Sequence, residues 1–329
     1  MIYYFYSLLK TQSAQKVITP LAVKWSSQGD VISDWDSDLT VLSQVDAIIV
    51  SPATRNLLAS HLHGLMNGPL LMAMSAARKR NTPILLVPSM HNDLAEDPVT
   101  DDLVQEIQKQ GAKVIWGEHE EGKRKTPPSE HIVAELCNLV NKNKTSVVIT
   151  LGANRSAMDD IRFLQNTSSG RTGFAIADYL HRWGMDITCV IGITSEHAPT
   201  WLPLVIKSPD PEEMLDELIA LSNDDINAWV HTAAVLDYQI EKAAEGKVAS
   251  QQSGLQLNLV ETRKHIVELA PLCKGACRIG FKLESGIKQK DLVHRAVAQN
   301  EKAQMTATIA NRLEDMGDSE MPRAHLVDA

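Results

Sequence analysis

Small and hydroxyl-bearing residues cluster at Gly152 to Arg155 and again at Asn166 to Gly173, where the chain reads Asn-Thr-Ser-Ser-Gly-Arg-Thr-Gly just ahead of a helical pattern. Free backbone N–H groups and short hydroxyls at a helix N-terminus suit phosphate oxygens, and Gly152, Ser169 and Gly170 are the candidates here. The spacing matches neither the dinucleotide Gly-x-Gly-x-x-Gly nor the Walker pattern, so a structural turn is the competing reading. A second cluster is His-Thr-Ala-Ala-Val-Leu-Asp-Tyr, His231 to Tyr238. Ala233 and Ala234 admit a ligand close to the backbone, and Asp237 at the strand's end could hold Mg²⁺ beside a triphosphate. Lys247, ten residues on, could neutralise charge on phosphate oxygens or on a forming acyl phosphate. Each is equally readable alone as a surface charge. A third strand end, Ile279 to Ser285, puts Phe281 and Lys282 at the same sheet edge.

Such residues meet only if strands bring them to one rim. The carboxyl-terminal half alternates predicted strands, Val147 to Thr150, Ile187 to Ile191, Ala228 to Ala233, Arg278 to Phe281 and Thr306 to Ala310, with helices at Gly173 to Trp183, Pro211 to Ser222 and Lys290 to Ala303. The amino-terminal half repeats the theme: a strand at the start, then Val45 to Pro52, Pro83 to Met90 and Lys113 to Gly117, separated by helical patterns. Strands separated by helices predict an α/β fold with two doubly wound parallel-sheet, Rossmann-like domains, residues 1–141 and 146–329, joined by a linker at 142–145. Gln251 to Thr262 alternates apolar and polar residues, which predicts a half-buried antiparallel excursion in the second domain.

The 329 residues carry a net charge of -9 and a pI near 5.7. No basic stripe is present, which argues against nucleic acid as a partner. No apolar run approaches the roughly 20 residues of a membrane helix, and Met1 to Lys10 lacks the features of a secretory signal. Cys137, Cys189, Cys273 and Cys277 form neither a disulfide framework nor a metal pattern, which fits a reduced cytoplasm. His61 and His63 point apart on a helix and make no metal pair.

The segment ITLGANRSAMDDIRFLQNTSSGRTGFAIA, from Ile149 to Ala177, resembles the pattern ITAGGTxExIDPVRxISNxSSGKMGxAxA of the phosphopantothenate–cysteine ligase family. In bacteria that ligase is usually the carboxyl-terminal half of a bifunctional ligase and phosphopantothenoylcysteine decarboxylase flavoprotein. AAVLDY, Ala233 to Tyr238, is similar to the family's AAVxDY, and Ala310-Asn311 to its AN segment. The resemblance implies that phosphopantothenate attacks a nucleoside triphosphate, CTP or ATP, and that cysteine then displaces the nucleotide to form an amide. It implies that Asn166 holds the activated acyl group with Arg162 and the backbone near Ala234. By the same resemblance, Asp237 binds Mg²⁺ or nucleotide, Lys247 stabilises charge during amide formation, Phe281 contacts the nucleotide, and Lys302 reaches the triphosphate. It further implies a homodimer or higher homo-oligomer. The chain departs from the family at Gly152-Ala153-Asn154 for Gly-Gly-Thr, at Asp160 for Pro, and at Lys247 to Ser250, which read KVAS for KIKK. The alternative is a family-fold protein repurposed for nucleotide binding or scaffolding, or a ligase for another acid and amine.

The first half resembles the family's flavoprotein domain through Ile18 to Val31, Val45 to Thr54 and Pro83 to Asn92. Its former flavin-site positions are Asp38, Pro52, Thr54, Asn56, Met90 and His91. Asp38 stands where the family has its catalytic His, and the chain reads as starting at the family's second strand. An Asp does not relay protons near neutral pH without a large pKa shift, and oxidative decarboxylation needs an electron acceptor. FMN is therefore a doubtful cofactor on the sequence, and the expectation is that decarboxylation is lost.

Overall fold

The computed structural model describes residues 8–33, 35, 45–223, 225–249, 254–317 and 323–329. The chain divides into two compact units, Met1–Lys142 and Asn143–Ala329.

In the first unit, β1 (Leu8–Leu9) is followed by α1 (Gln12–Gln15), α2 (Pro20–Ser27) and β2 (Val31–Ile32), which pairs with β1 in parallel. Next come β3 (Ile48–Ala53), α3 (Arg55–Leu62), α4 (Pro69–Arg80), β4 (Ile84–Pro88), β5 (Met90–His91), α5 (Asn92–Ala95) and α6 (Pro98–Lys109). The unit ends with β6 (Lys113–Val114), the hairpin β7 (His119–Glu120) and β8 (Lys123–Arg124), and α7 (Ser129–Val140). Strands β3, β4 and β6 form a parallel sheet. Alternation along β4 sends Ile84 and Leu86 into a core with α3 and α4 residues, and Leu85 and Val87 into another with Ile132, Leu136 and Leu139 of α7. A strand buried on both faces is what a doubly wound sheet requires. Helix α6 starts where its sequence dictates, with the Asp97 carboxylate accepting from Val99 N–H and Pro98 in the first turn.

The second unit is built on a mixed sheet. Its elements are β9 (Ser146–Leu151), the hairpin β10 (Arg155–Ala157) and β11 (Phe163–Gln165), α8 (Arg171–Arg182), β12 (Asp186–Ile191), β13 (Leu204–Lys207) and α9 (Pro211–Leu221). After these come β14 (Ala228–His231), β15 (Tyr238–Ile240), β16 (Leu259–Glu261), α10 (His265–Glu268), β17 (Cys277–Glu284), α11 (Gln289–Ala303), β18 (Ala307–Arg312) and β19 (His325–Asp328). The order across the sheet is β13-β12-β9-β14-β17-β18-β19, parallel throughout except for β19. Chain order reverses between β9 and β14, which makes that boundary the switch point where open α/β sheets hold ligands. Along β9, Val147, Ile149 and Leu151 pack with Phe174 and Ala177 of α8, whereas Val148 packs with Met214, Leu215 and Leu218 of α9 and with Trp229.

Several short elements depart from the sequence expectations. β13, β19 and the β10–β11 hairpin were not anticipated, because each is only three or four residues long and too short to show a period. The excursion at 251–262 is antiparallel as expected, but only Leu259–Glu261 is strand, paired with β15. Residues 254–261 are exposed rather than half-buried.

Helix α8 lies unusually close to the sheet. A Cβ on Gly173 would come within 2.3 Å of Leu151 Cβ and 2.7 Å of Thr232 Oγ1, so only glycine lets the helix start directly over the ends of β9 and β14. Gly173→Ala should therefore destabilise the protein by about 1–3 kcal/mol, read as a lower denaturation midpoint. Gly68→Ala, where nothing lies within 4 Å of the new Cβ, should leave the midpoint unchanged, and equal midpoints for both variants would contradict the close approach.

A second stability feature is His231, buried at the end of β14 and stacked on Trp229 with ring centroids 6.2 Å apart. Its Nε2 has no hydrogen-bond partner among the described residues. Burial first, then Arg278 and His265, push its pKa down to about 3; burial similarly lowers His265 to about 4. The unfolded chain, with histidines near 6.5, binds protons that the folded chain refuses. The stability that these neutral rings allow is thus present above about pH 6.5 and is lost as pH falls toward 4. Thermal melts from pH 8 to pH 4 should show that decline, and His231→Leu should make it shallower; parallel curves would contradict the assignment.

Candidate functional site

The loop after β9 is stitched between its neighbours. Gly152 takes φ +83°, and a Cβ there would lie 2.8 Å from the Ile193 carbonyl oxygen. Ala153 exchanges hydrogen bonds with Ile193, at 2.9 and 2.8 Å, while Ala234 N–H donates to Gly152 O at 2.8 Å and Asn154 N–H to Ala234 O at 3.1 Å. The β10–β11 hairpin then delivers Asn166 to the same rim. Its Nδ2 donates to Ala234 O and Val235 O, each at 3.1 Å. Two carbonyls on one side of the amide fix its orientation, because the flipped group would set oxygen against oxygen. Asn166 therefore has its Oδ1, an acceptor, left to offer.

The N-terminus of α8 adjoins this loop. Gly170 caps it in the left-handed conformation, φ +80°, with no side-chain cap bond; Ser169 Oγ accepts from Arg171 N–H at 3.3 Å. The remaining first-turn amides have no partner within the helix. The backbone near Ala234 was expected to supply donors as well, but the Ala234 N–H is committed to Gly152 O and the Ala233 N–H to Thr150 Oγ1 at 3.3 Å. The Ala233 and Ala234 amides are therefore not the free donors here, whereas first-turn amides of α8 are.

Charged candidates divide. Arg162, partly exposed, is held by Asp159 at 3.0 Å and donates to Val248 O. Lys247 is exposed, in the loop that follows β15. Asp237 is exposed, and its carboxylate is already paired with the Lys264 ammonium. No group of three or more His, Cys, Asp or Glu side chains able to hold a metal occurs among the described residues. A Mg²⁺ at Asp237 would therefore need triphosphate oxygens to complete its coordination. Phe281 and Lys282 share the strand end but, by alternation, not a face. Phe281 packs with the α8-side core, and Lys282 pairs with Glu284 at 3.2 Å.

Lys302 is displaced altogether. It adjoins Ala303, whose carbonyl accepts from Arg278, the second residue of β17. That is the amino end of the sheet, opposite the crevice. A crossover helix runs back against its strands, so the lysines at its start, Lys288 and Lys290, lie toward the carboxyl ends instead.

Two functional-site neighbours were missed on the sequence. Asp159, 2% exposed, accepts from the N–H groups of Ile161, Arg162 and Val248. Those bonds, led by Ile161, and Arg162 hold its carboxyl below the usual carboxylate range. An Asp whose next two residues close a turn is the signal that could have found it. Lys264 had no such signal, because its partner Asp237 is 27 residues away.

In the first unit, Asp38 lies outside the described residues. Pro52 is exposed at the end of β3, after a cis Ser51–Pro52 bond. Thr54 caps α3 by accepting from Leu57 N–H at 3.3 Å, Asn56 is exposed, and Met90 and His91 pair with β8. Ser89 Oγ donates to Arg124 O at 3.2 Å. The Ser89 hydroxyl is thus committed internally, while Thr54 Oγ1, which accepts in its bond from Leu57, keeps its proton to donate. The Lys10 ammonium, 9% exposed and without a hydrogen-bond partner among the described residues, is the group that suits an anionic ligand.

Comparison with known proteins matches this architecture. The family model for the DNA/pantothenate metabolism flavoprotein C-terminal domain covers residues 142–327, and the Flavoprotein model covers residues 4–141. The coenzyme A biosynthesis bifunctional protein CoaBC of Thermococcus kodakarensis is 28% identical over 321 residues, 94% of this chain and 79% of that protein. CoaBC of Bacillus subtilis is 26% identical over 333 residues, again 94% and 79%. The crystal structure of the DNA/pantothenate metabolism flavoprotein from Streptococcus pneumoniae shares the fold, with a TM-score of 0.51 and 22% identity over 56% of this chain and 89% of that one. The Flavoprotein match leaves the sequence-based doubt over FMN without support, and it shows that the flavoprotein-type domain is present. Among the described residues no helix is long and apolar enough to cross a membrane. With one family model covering more than half of its length and a second covering the rest of its amino-terminal part, the chain belongs to the DNA/pantothenate metabolism flavoprotein family.

Proposed function

We propose that the Asn143–Ala329 unit joins cysteine to 4′-phosphopantothenate in coenzyme A synthesis, using CTP or ATP. The observation that carries this reading is Asn166, whose amide is fixed by two carbonyls at the switch point beside the uncapped start of α8. The names of the CoaBC relatives support the pathway. The substrate carboxylate attacks the α-phosphorus, pyrophosphate leaves, and a mixed anhydride remains; the cysteine amine then attacks its acyl carbon and the nucleoside monophosphate departs. First-turn amides of α8 take phosphate oxygens. Asn166 Oδ1 accepts an N–H of the incoming amine and so aims its lone pair at the acyl carbon. Lys247 offsets the charge that develops as the nucleotide leaves. Homo-oligomerisation in the cytoplasm belongs to the same proposal.

Pyrophosphate release with phosphopantothenate and CTP or ATP, with and without cysteine, tests the reading. Release that requires the acid, and amide formation that requires cysteine, is the expected result; no turnover with either nucleotide would favour a nucleotide-binding protein without this reaction. Asn166→Ala should retain pyrophosphate release while amide formation falls by roughly 10²-fold, and unaltered amide yield would remove Asn166 from the site. Lys247→Gln should slow the amide-forming half by about 10²–10³-fold; an unchanged rate would make it a surface charge.

A further inference from the structure

The tip of the β10–β11 hairpin, residues 158–162, is closed by Asp159. Its Oδ1 accepts from Ile161 N–H at 2.9 Å and Arg162 N–H at 2.7 Å, which is all that the turn needs. Its Oδ2 reaches across 89 positions of sequence to accept the Val248 N–H at 3.1 Å and meets the Arg162 guanidinium at 3.0 Å. Arg162 donates in turn to the Val248 carbonyl, and Ala244 N–H donates to Met158 O at 2.9 Å. One residue of an exposed loop, Val248, is thus gripped at both its N–H and its C=O by a carboxylate and a guanidinium that also grip each other. The residue before Val248 is Lys247, which shares the peptide whose N–H is bonded.

A carboxylate buried to this degree is tolerable only when its oxygens are filled by donors. Here half of that capacity serves a loop with no buried residue from Glu241 to Ala249. Loops of this kind are ordinarily loose, and a charge-assisted pair holding the two peptides on either side of Val248 removes that freedom where a lysine must meet a reacting group. The hairpin that carries the grip also carries Asn166 at its other end, directly after β11, and Ser156 Oγ of β10 accepts from Ile240 N–H at 3.0 Å. One hairpin therefore references both Asn166 and the Lys247 loop.

We propose that Asp159 is a positioning residue for the amide-forming step, fixing the Val248 backbone through Oδ2 and Arg162 so that the Lys247 ammonium is held for the reaction. This rests on the ligase reading above. In Asp159→Asn, pyrophosphate release without cysteine should stay within a few-fold of the parent. Amide formation should fall about 100-fold, the order expected when a reacting group is misplaced by about 1 Å, and Asp159→Asn/Lys247→Gln should be no slower than the worse single variant. Hydrogen exchange at the Val248 amide should speed up while exchange in β9 and β14 is unchanged. Val248→Pro, which removes the bonded N–H and keeps the carboxylate, should give the same split and serves if Asp159→Asn does not fold. Equal loss of both half-reactions, a multiplicative double variant, or unchanged Val248 exchange would overturn the proposal. A parent protein that forms no acyl-nucleotide would instead overturn the ligase reading, and the exchange measurement would still judge the grip.

Discussion

Everything in the second unit's candidate site depends on how closely α8 approaches the sheet. With Gly173 over Leu151 and Thr232, and Gly170 against Thr194, whose Cγ2 would lie 2.6 Å from a Cβ there, the helix begins directly above the strand ends instead of a side chain's width away. Its unpaired first-turn amides and their share of the helix dipole then face the same crevice as the β9 and β14 loops. A larger residue at either position would move the helix, and the anion seat with it.

The second organising element is the β10–β11 hairpin. It inserts into the loop after β9, a position at which a simpler fold would run straight to the helix, and uses its backbone and side chains to tie down three other segments. Asn166 binds the loop after β14, Ser156 binds β15, and Asp159 with Arg162 binds the loop around Val248. The effect is to convert loops, which are ordinarily mobile, into parts of one hydrogen-bonded frame. That frame explains why the site needs few charged groups of its own.

Much of this was legible in the sequence. The buried strands Val147 to Thr150 and Ile187 to Ile191 announce themselves by continuous apolar runs, and Asn166 to Gly173 by its composition ahead of an amphipathic helix; Asn166 and α8 indeed meet at one rim. Alternation and helix direction were the rules applied too loosely. Phe281 and Lys282 occupy opposite faces of β17, and Lys302 sits at the wrong end of α11, because a crossover helix reverses direction and returns its carboxyl end to the strands' amino ends. Asp159 and Lys264 were invisible for a different reason. Their partners lie 89 and 27 residues away, and no local pattern encodes a contact made by tertiary structure.

The central claim is that the carboxylate attacks the α-phosphorus of the nucleotide in the crevice between β9 and β14. Phosphopantothenate carrying oxygen-18 in its carboxylate, turned over with cysteine and CTP or ATP, tests it most directly by mass spectrometry of the products. An acyl-nucleotide intermediate transfers one labelled oxygen to the nucleoside monophosphate and none to pyrophosphate, and that is the predicted distribution. Label in inorganic phosphate would mean attack at the γ-phosphorus, and amide formed with the lost label in water and none in any nucleotide product would mean that no such intermediate forms; either would contradict the account.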